Sequence, residues 1–148
     1  SLGAWVGLSS FVTKGDMIRA LIEGLDYQFL DITRTMQGLG VAFDRLVVVG
    51  GAARNEFWMR NKADMVGLPL EVPEVEDATP LGAAMLAGIG VGIYRDAQDA
   101  YERVRKPGKV YQPDLDATAK YADLFPVYKQ LYPALRPINR QLYARFVG

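Results

Sequence analysis

The stretch Leu46–Trp58, LVVVGGAARNEFW, decides how the rest of the chain is interpreted. An apolar, mostly β-branched run that ends in two glycines is typical of a buried strand followed by a tight turn. Because glycine has no Cβ, the backbone at Gly50-Gly51 can approach a ligand closely. Ligands of open α/β sheets bind just beyond the carboxyl ends of strands, so this turn is a candidate binding site. A simple tight turn without a ligand is the alternative.

Two common nucleotide motifs are absent from this stretch. No Gly-Lys-Ser/Thr sequence follows the turn at Walker A spacing, and Gly51 is followed by Ala52-Ala53-Arg54 instead of the remainder of GxGxxG. The acidic residue that a dinucleotide-binding domain carries further along the chain is also missing. An NAD-binding domain is therefore disfavoured.

Composition indicates one globular domain with balanced charge. The chain has 148 residues, is 50% hydrophobic, and carries 17 Lys+Arg against 17 Asp+Glu. This length and hydrophobicity allow a buried core. Zero net charge argues against nucleic acid or an anionic membrane as a partner. The longest apolar stretch, Leu81–Tyr94, is rich in glycine and too short to span a bilayer. We expect a cytoplasmic protein, with which the absence of cysteine is compatible.

The chain contains no cysteine and no histidine. The missing cysteines exclude disulfides, thiol nucleophiles and thiolate metal sites from this sequence. The missing histidines remove the commonest general base and the commonest metal ligand. Acid–base chemistry within these residues would depend on Asp, Glu, Lys or Tyr.

Before the glycine turn, the pattern predicts a strand and a long helix. Gly3–Ser10 alternates bulky and small residues, which favours a strand. Thr13 is a candidate N-cap with Asp16 three residues later, and glycines at 38 and 40 are stop signals. Gly24, in mid-helix, predicts a close contact with another helix. Spacings of three and four predict one core-facing stripe, formed by Ile18, Ile22, Leu25, Phe29, Ile32 and Met36.

After the turn, helices and strands continue to alternate. We expect a helix over Asn55–Val66 capped by Gly67, a strand over Leu68–Val72, a helix starting at Thr79-Pro80, and a short helix over Asp96–Val104. Small residues on the third helix favour tight packing. Two charged clusters are interpreted as solvated loops: an acidic one with Glu74, Glu76 and Asp77, and a basic one with Arg103, Arg105, Lys106 and Lys109.

The tail, Leu115–Phe146, has a helical stripe of its own. Its register survives three prolines, so we expect one kinked or interrupted helix that docks on its own domain. Dimerisation through it, giving a homodimer, is the alternative. The stripe consists of Tyr121, Leu124, Tyr128, Leu131, Leu135, Ile138 and Leu142, and the prolines are Pro126, Pro133 and Pro137.

The summed pattern predicts an α/β layer with a small three-stranded sheet and right-handed crossovers. Three strands leave a sheet edge that needs a partner, which suggests that the chain is part of a larger protein.

Three segments together resemble the C-terminal domain of the FGGY carbohydrate kinases, and especially their xylulokinase-like branch. They are GAWVGLSSFVTKGDMIRALIEG at Gly3–Gly24, VVVGGAARNEFW at Val47–Trp58, and GLPLEVPEVEDATPLGAAMLAGIGVGIY at Gly67–Tyr94. The segment Tyr132–Pro137 is also similar to this branch. Leu21 and Pro80 depart from the residues usual in the family.

This resemblance implies an incomplete ribonuclease-H-like domain of the actin and hexokinase type. Residues 1–113 would form the nucleotide-binding domain without its first strands and phosphate hairpin, and 114–148 the helical tail packed on it. Gly50, Gly51 and Ala52 would lie against the adenosine and α-phosphate side of ATP or ADP, and Asn55 would reach the adenine. Family resemblance also implies Mg²⁺, with ligands outside this sequence.

The same resemblance implies that the catalytic Asp and most of the sugar site belong to an N-terminal domain that precedes this sequence. No residue here is assigned to catalysis or to a metal, and the chain alone is expected to be inert. A xylulose-like pentulose is the favoured substrate of the whole enzyme. The competing interpretation is a stand-alone, non-catalytic α/β module for binding or assembly.

Overall fold

The computed structural model describes residues 2–75 and 77–146 of the chain. Helices dominate, and the three strands are short. In chain order the elements are α1 (Lys14–Gly38), β1 (Leu46–Val47), a 3₁₀ turn (Gly51–Arg54), α2 (Glu56–Val66), β2 (Leu70–Val72), α3 (Ala78–Gly90), α4 (Ala97–Val104), β3 (Lys109–Tyr111) and α5 (Leu115–Phe146).

The sheet has the order β1-β2-β3, with β2 in the centre. Strand β1 runs parallel to β2 with Leu46 opposite Leu70, and β3 runs antiparallel to β2 with Tyr111 opposite Leu70. Leu70 is fully buried and packs with Met59, Ala63 and Tyr111 in one of the two hydrophobic clusters. The strands predicted before the glycine turn and over Leu68–Val72 are therefore confirmed, although both are shorter than expected.

The strand predicted over Gly3–Ser10 is wrong. Residues 2–9 form no strand, and Trp5, Val6 and Leu8 are about half exposed. The indole of Trp5 instead donates a hydrogen bond to the Met17 carbonyl, 3.3 Å away. Alternation of bulky and small residues makes a strand only where a neighbouring strand pairs with its backbone, and none of the described strands lies beside it.

The basic cluster is wrongly interpreted as a solvated loop. Part of it is strand β3, and three of its cations pair with carboxylates. Arg105 Nη2 donates to both oxygens of the buried Glu71, at 3.0 and 2.9 Å. Lys109 Nζ lies 2.6 Å from Glu56, and Arg103 Nε lies 3.0 Å from Asp99. Glu71 lies in the central strand β2 and is buried, and a buried carboxylate requires a cation or hydrogen-bond donor such as Arg105.

Gly108 permits the close approach of β3 to β2. A Cβ at this position would lie 1.7 Å from the Val72 carbonyl oxygen and 2.5 Å from the Pro73 Cα. We therefore expect Gly108→Ala to lower the free energy of unfolding by about 2 kcal/mol, because rigid backbone must move to relieve the overlap. Denaturant unfolding of the two proteins measures the difference.

Gly24→Ala is the matched control for this prediction. Helix α5 contacts Gly24, since the Tyr128 hydroxyl donates to its carbonyl at 3.3 Å, but a Cβ at Gly24 would meet no atom within 4 Å, so this contact does not require glycine. Alanine in this helix interior should be neutral or stabilise by up to about 1 kcal/mol. Equal stabilities of Gly108→Ala and the wild type would contradict the assigned contact between β3 and β2.

Helix α1 begins as predicted. Thr13 is its N-cap in a capping box with Asp16, and the Thr13 backbone N–H donates to the Asp16 carboxylate at 2.9 Å. This hydrogen bond lowers the pKa of Asp16. The helix ends at Gly38, as the glycine stop signal predicted. Helix α2 also agrees closely with its prediction, with Asn55 as N-cap and Gly67 as a left-handed C-cap.

The face of α1 predicted to be buried is wrong. Ile18, Leu25 and Ile32 are each at least half exposed. The buried side chains lie on another face, which α2 and α5 cover; they are Asp26, Tyr27, Leu30 and Thr33. The sequence did not indicate this face, because Asp26 and Thr33 are polar. Both can be buried because each makes a hydrogen bond: Asp26 accepts from Trp58 Nε1, and Thr33 Oγ1 donates to the Leu30 carbonyl.

Helix α5 is one continuous helical segment with its three prolines inside. Its first half packs on α1 through an aromatic cluster, in which the Tyr27 ring lies 5.9 Å from Tyr121, 6.3 Å from Phe125 and 4.9 Å from Tyr128. Burial raises the pKa of Tyr27 to about 12. Beyond this cluster the predicted docking is incomplete, since Ile138 and Phe146 are largely exposed.

Helix α3 begins two residues before the predicted start, because Asp77 and not Thr79 is its N-cap, and Pro80 lies within its first turn. The predicted tight packing of its small residues on a sheet or another helix is wrong, because Ala83 and Ala87 are exposed. Gly88 instead packs on the turn that follows the helix, where a Cβ would lie 2.6 Å from the Tyr94 ring. Among the helices of residues 2–75 and 77–146, none combines the length and apolar character needed to cross a bilayer.

Candidate functional site

A groove of about 430 Å³ lies where the two parallel strands end. One wall is formed by the residues that follow β1, and the opposite wall by those that follow β2. Because both strands are parallel, their carboxyl ends meet at the same edge of the sheet, the usual ligand position in α/β folds. The lining consists of Val48, Val49, Gly50, Ala53, Arg54, Val72, Pro73, Glu74 and Val75.

Gly50 shapes the strand-to-helix turn. Its φ of 97° and ψ of −178° belong to a backbone region that only glycine readily adopts. A Cβ on Gly51 would meet no protein atom within 4 Å, so space is open beside the turn. The sequence therefore correctly placed a glycine turn next to a concave surface.

The turn does not lead directly into α2, as the sequence suggested. A 3₁₀ turn over Gly51–Arg54 stands between them, and the Ala53 N–H donates to the Gly50 carbonyl at 3.0 Å. The amides of Gly51 and Ala52 precede this first hydrogen bond of the turn. Amides at such a start have no partner within the helix and can donate to an anion.

Asn55 lies at the N-cap of α2. Its side-chain Oδ1 accepts a hydrogen bond from the Trp58 backbone N–H at 3.1 Å. The oxygen is thus used by the helix, while the amide group retains its two N–H donors for another contact. Among the four predicted site residues, Gly50 lines the groove, Gly51 and Ala52 belong to the 3₁₀ turn, and Asn55 ends that turn.

The charged lining of the groove suits a polar ligand. Arg54 contributes a cation beside the glycine turn, and Glu74 contributes a carboxylate to the opposite wall. Within residues 2–75 and 77–146, no three Asp or Glu side chains gather closely enough to hold a metal ion. Glu76, the middle residue of the predicted acidic loop, lies outside the described residues. The donors present fit an anionic or heterocyclic ligand better than a metal cage.

Sequence reasoning missed the second wall of the groove, Val72–Val75. A usable signal was present, because the carboxyl end of the second predicted parallel strand had to lie beside that of the first. It also missed a polar cluster behind the turn. Buried Asp26 accepts hydrogen bonds from Trp58 Nε1 at 2.8 Å, Asn61 Nδ2 at 2.8 Å and Lys62 Nζ at 2.6 Å.

A second concave surface, of about 330 Å³, lies between Leu2 and the last turns of α5. It is lined by Arg136 and Arg140 on the exposed part of the tail helix, and it includes none of the predicted site residues. The groove at the glycine turn is therefore the better candidate site.

Comparisons with known proteins point to one family. Residues 1–91 match the FGGY family of carbohydrate kinases, C-terminal domain. The chain is 41% identical over 114 residues to glycerol kinase 1 of Clostridium tetani, which covers 76% of this chain and 23% of that protein.

Solved structures agree with this match. Ligand-bound xylulose kinase from Lactobacillus acidophilus superposes with a TM-score of 0.83 at 26% identity, over 92% of this chain and 28% of that one. Plasmodium falciparum glycerol kinase with ADP gives a TM-score of 0.68 at 25% identity, over 84% of this chain and 25% of that one. The chain thus spans about a quarter of the length of these relatives.

Proposed function

The chain belongs to the FGGY family of carbohydrate kinases, and we propose that it forms the nucleotide-binding part of an ATP-dependent kinase for a sugar or polyol hydroxyl. The observation that carries this proposal is the open glycine turn at Gly50-Gly51, beside the groove at the carboxyl ends of β1 and β2. A similar structure of the family, the Plasmodium falciparum glycerol kinase, was solved with ADP.

In this proposal, Gly50, Gly51 and Ala52 face the α-phosphate side of ATP. Support comes from the open space at the turn and from the amides that precede the first 3₁₀ hydrogen bond. Asn55 would reach the adenine. Because its oxygen caps α2, its N–H groups are the atoms available to the acceptor nitrogens of the base.

Bound ATP would supply the transferable phosphoryl group, and phosphoryl transfer depends on positioning and on charge stabilisation. The residues of this chain would bind and orient the nucleotide. Mg²⁺ fits the proposal only as an ion held by phosphate oxygens and by groups outside the described residues, since these form no cluster of three potential ligands.

We propose that polypeptide outside this sequence forms the rest of the enzyme. Residues 1–113 would belong to a ribonuclease-H-like domain with 114–148 as its tail, while the catalytic Asp and the sugar site would come from an N-terminal domain. The half-exposed stripe of α1, which includes Ile18 and Ile32, provides an apolar surface on which further polypeptide could pack.

A pentulose such as xylulose is our proposed substrate, and the cytoplasm the proposed compartment. The TM-score of 0.83 to the xylulose kinase supports this choice, but a gluconate kinase from the same organism gives 0.81, so the fold does not separate these substrates. The 41% identity to glycerol kinase 1 favours glycerol instead. Substrate specificity therefore requires a direct measurement.

The test is ATP turnover by the whole polypeptide with xylulose, ribulose and glycerol as separate substrates. We expect ADP release that depends on the substrate, with the highest kcat/KM for xylulose. Residues 1–148 alone should show no substrate-dependent ADP release, because phosphoryl transfer needs groups from both sides of a cleft.

Each outcome of this assay decides one point. A higher kcat/KM with glycerol would overturn the pentulose assignment but keep the kinase. ADP binding without turnover on any of the three substrates would favour the non-catalytic module. Turnover by residues 1–148 alone would contradict the assignment of the catalytic Asp to another domain.

A further inference from the structure

Trp58 connects the candidate nucleotide turn to α1. Its backbone N–H donates to Asn55 Oδ1 at 3.1 Å, which closes the N-cap of α2. Its indole Nε1 donates to Asp26 Oδ1 at 2.8 Å. One residue therefore holds the first turn of α2 both to the site residue Asn55 and to a neighbouring helix.

Asp26 is a rigid anchor for this contact. Its side chain is fully buried, and it also accepts from Asn61 Nδ2 and Lys62 Nζ, which lie on the next turn of α2. The Tyr121 hydroxyl lies 2.7 Å from Asn61 Oδ1, so α5 supports the same cluster. Asp26 thus contacts two successive turns of α2, which restricts both the sliding and the rotation of that helix.

We propose that the hydrogen bond from Trp58 to Asp26 positions the nucleotide turn, and that Trp58 is a positioning residue for ATP. This inference rests on the proposed function. Asn55 is three residues from Trp58 and is joined directly to the 3₁₀ turn of Gly51–Arg54. A shift in the first turn of α2 therefore displaces the Asn55 carboxamide and the amides beside Gly50 together.

Two side chains of α2 donate to the same oxygen of Asp26, and comparing them distinguishes a positioning role of Trp58 from a purely structural one. Lys62 Nζ donates to the same carboxylate oxygen as Trp58, at 2.6 Å, but it lies one turn further from Asn55. Loss of either donor should destabilise the protein, because each leaves the buried carboxylate with one hydrogen bond fewer. Only the loss of the Trp58 indole N–H removes the hydrogen bond between Asp26 and the first turn of α2, which Asn55 caps.

The experiment compares Trp58→Phe with Lys62→Met in the whole enzyme, with steady-state kinetics and thermal unfolding as readouts. Phenylalanine keeps an aromatic ring and removes the N–H donor. We expect Trp58→Phe to raise the KM for ATP by at least about fivefold, the lower end of usual coupling between separate groups. Lys62→Met should lower the unfolding temperature at least as much, because it leaves the buried Asp26 carboxylate without its cation, and should keep the KM for ATP within about twofold of the wild type. The sugar KM should change by less than about twofold in both variants.

An equal KM for ATP in Trp58→Phe and the wild type would overturn the inference, as would an equal rise in both variants. Should Trp58→Phe yield too little folded enzyme, Asp26→Asn replaces it. A neutral acceptor weakens the bond to Trp58, so the KM for ATP should rise by about threefold or more, and an unchanged value would reject the role. Absence of turnover in the wild type would instead reject the proposed kinase function.

Discussion

Replacing Gly51 with tryptophan in the whole enzyme is expected to raise the KM for ATP by about a hundredfold, with the sugar KM within about twofold. Gly51 stands between Gly50 and Ala53, two residues that line the groove. A Cβ at this position meets no atom of the protein within 4 Å, so the first atom of a side chain has room here. An indole would instead fill space that we assign to the nucleotide.

Gly90→Trp is the matched control. Gly90 ends α3 and is exposed, and a Cβ at this position would likewise meet no atom within 4 Å, but Gly90 does not line the groove. Steady-state kinetics with ATP and sugar varied in turn should show near wild-type values for this variant. A KM for ATP that is unchanged in Gly51→Trp would show that the turn lies away from the nucleotide.

Replacing Asp26 with alanine is expected to lower the free energy of unfolding by about 3 to 5 kcal/mol, the usual cost of breaking a buried ion pair. The side chain of Asp26 is fully buried, and Lys62 Nζ lies 2.6 Å from it with 11% of its own side chain exposed. Alanine would leave three donors, those of Trp58, Asn61 and Lys62, without their acceptor.

Asp31→Ala on the same helix provides the control. Asp31 lies 2.6 Å from Lys129 Nζ, but its side chain is 40% exposed, so water replaces the lost contact. A surface pair of this kind contributes about 0 to 1 kcal/mol. Denaturant unfolding should separate the two variants clearly. Equal losses of stability would mean that the Asp26 cluster contributes no more than a surface ion pair.

The candidate site was only partly predictable. The apolar run and paired glycines at Gly50-Gly51 indicated a strand and a turn, because both signals depend on neighbouring residues. The groove needed more, since its second wall comes from Val72–Val75, more than 20 residues away in the chain. Trp58 was recognised only as part of a motif. Its contact with Asp26 depends on how two helices pack, and no local pattern encodes that packing.

Burial was the least predictable property of the fold. The α1 stripe with Ile18 and Leu25 was expected in the core, but both side chains are half exposed or more. The buried face carries Asp26, which is stable there only because α2 supplies three donors. Likewise, Lys109 was assigned to a loop, although its backbone pairs with Val72 in the sheet.

The sequence by itself determined the helix ends at Thr13, Asn55 and Gly67, the two parallel strands, the glycine turn and the resemblance to the FGGY kinases. These features rest on contacts between residues a few positions apart, or on short motifs. Only the tertiary structure decided the third strand, the buried face of α1 and the shape of the groove. Each of these joins residues that are distant in the chain, and its energy comes from packing and hydrogen bonds between separate elements.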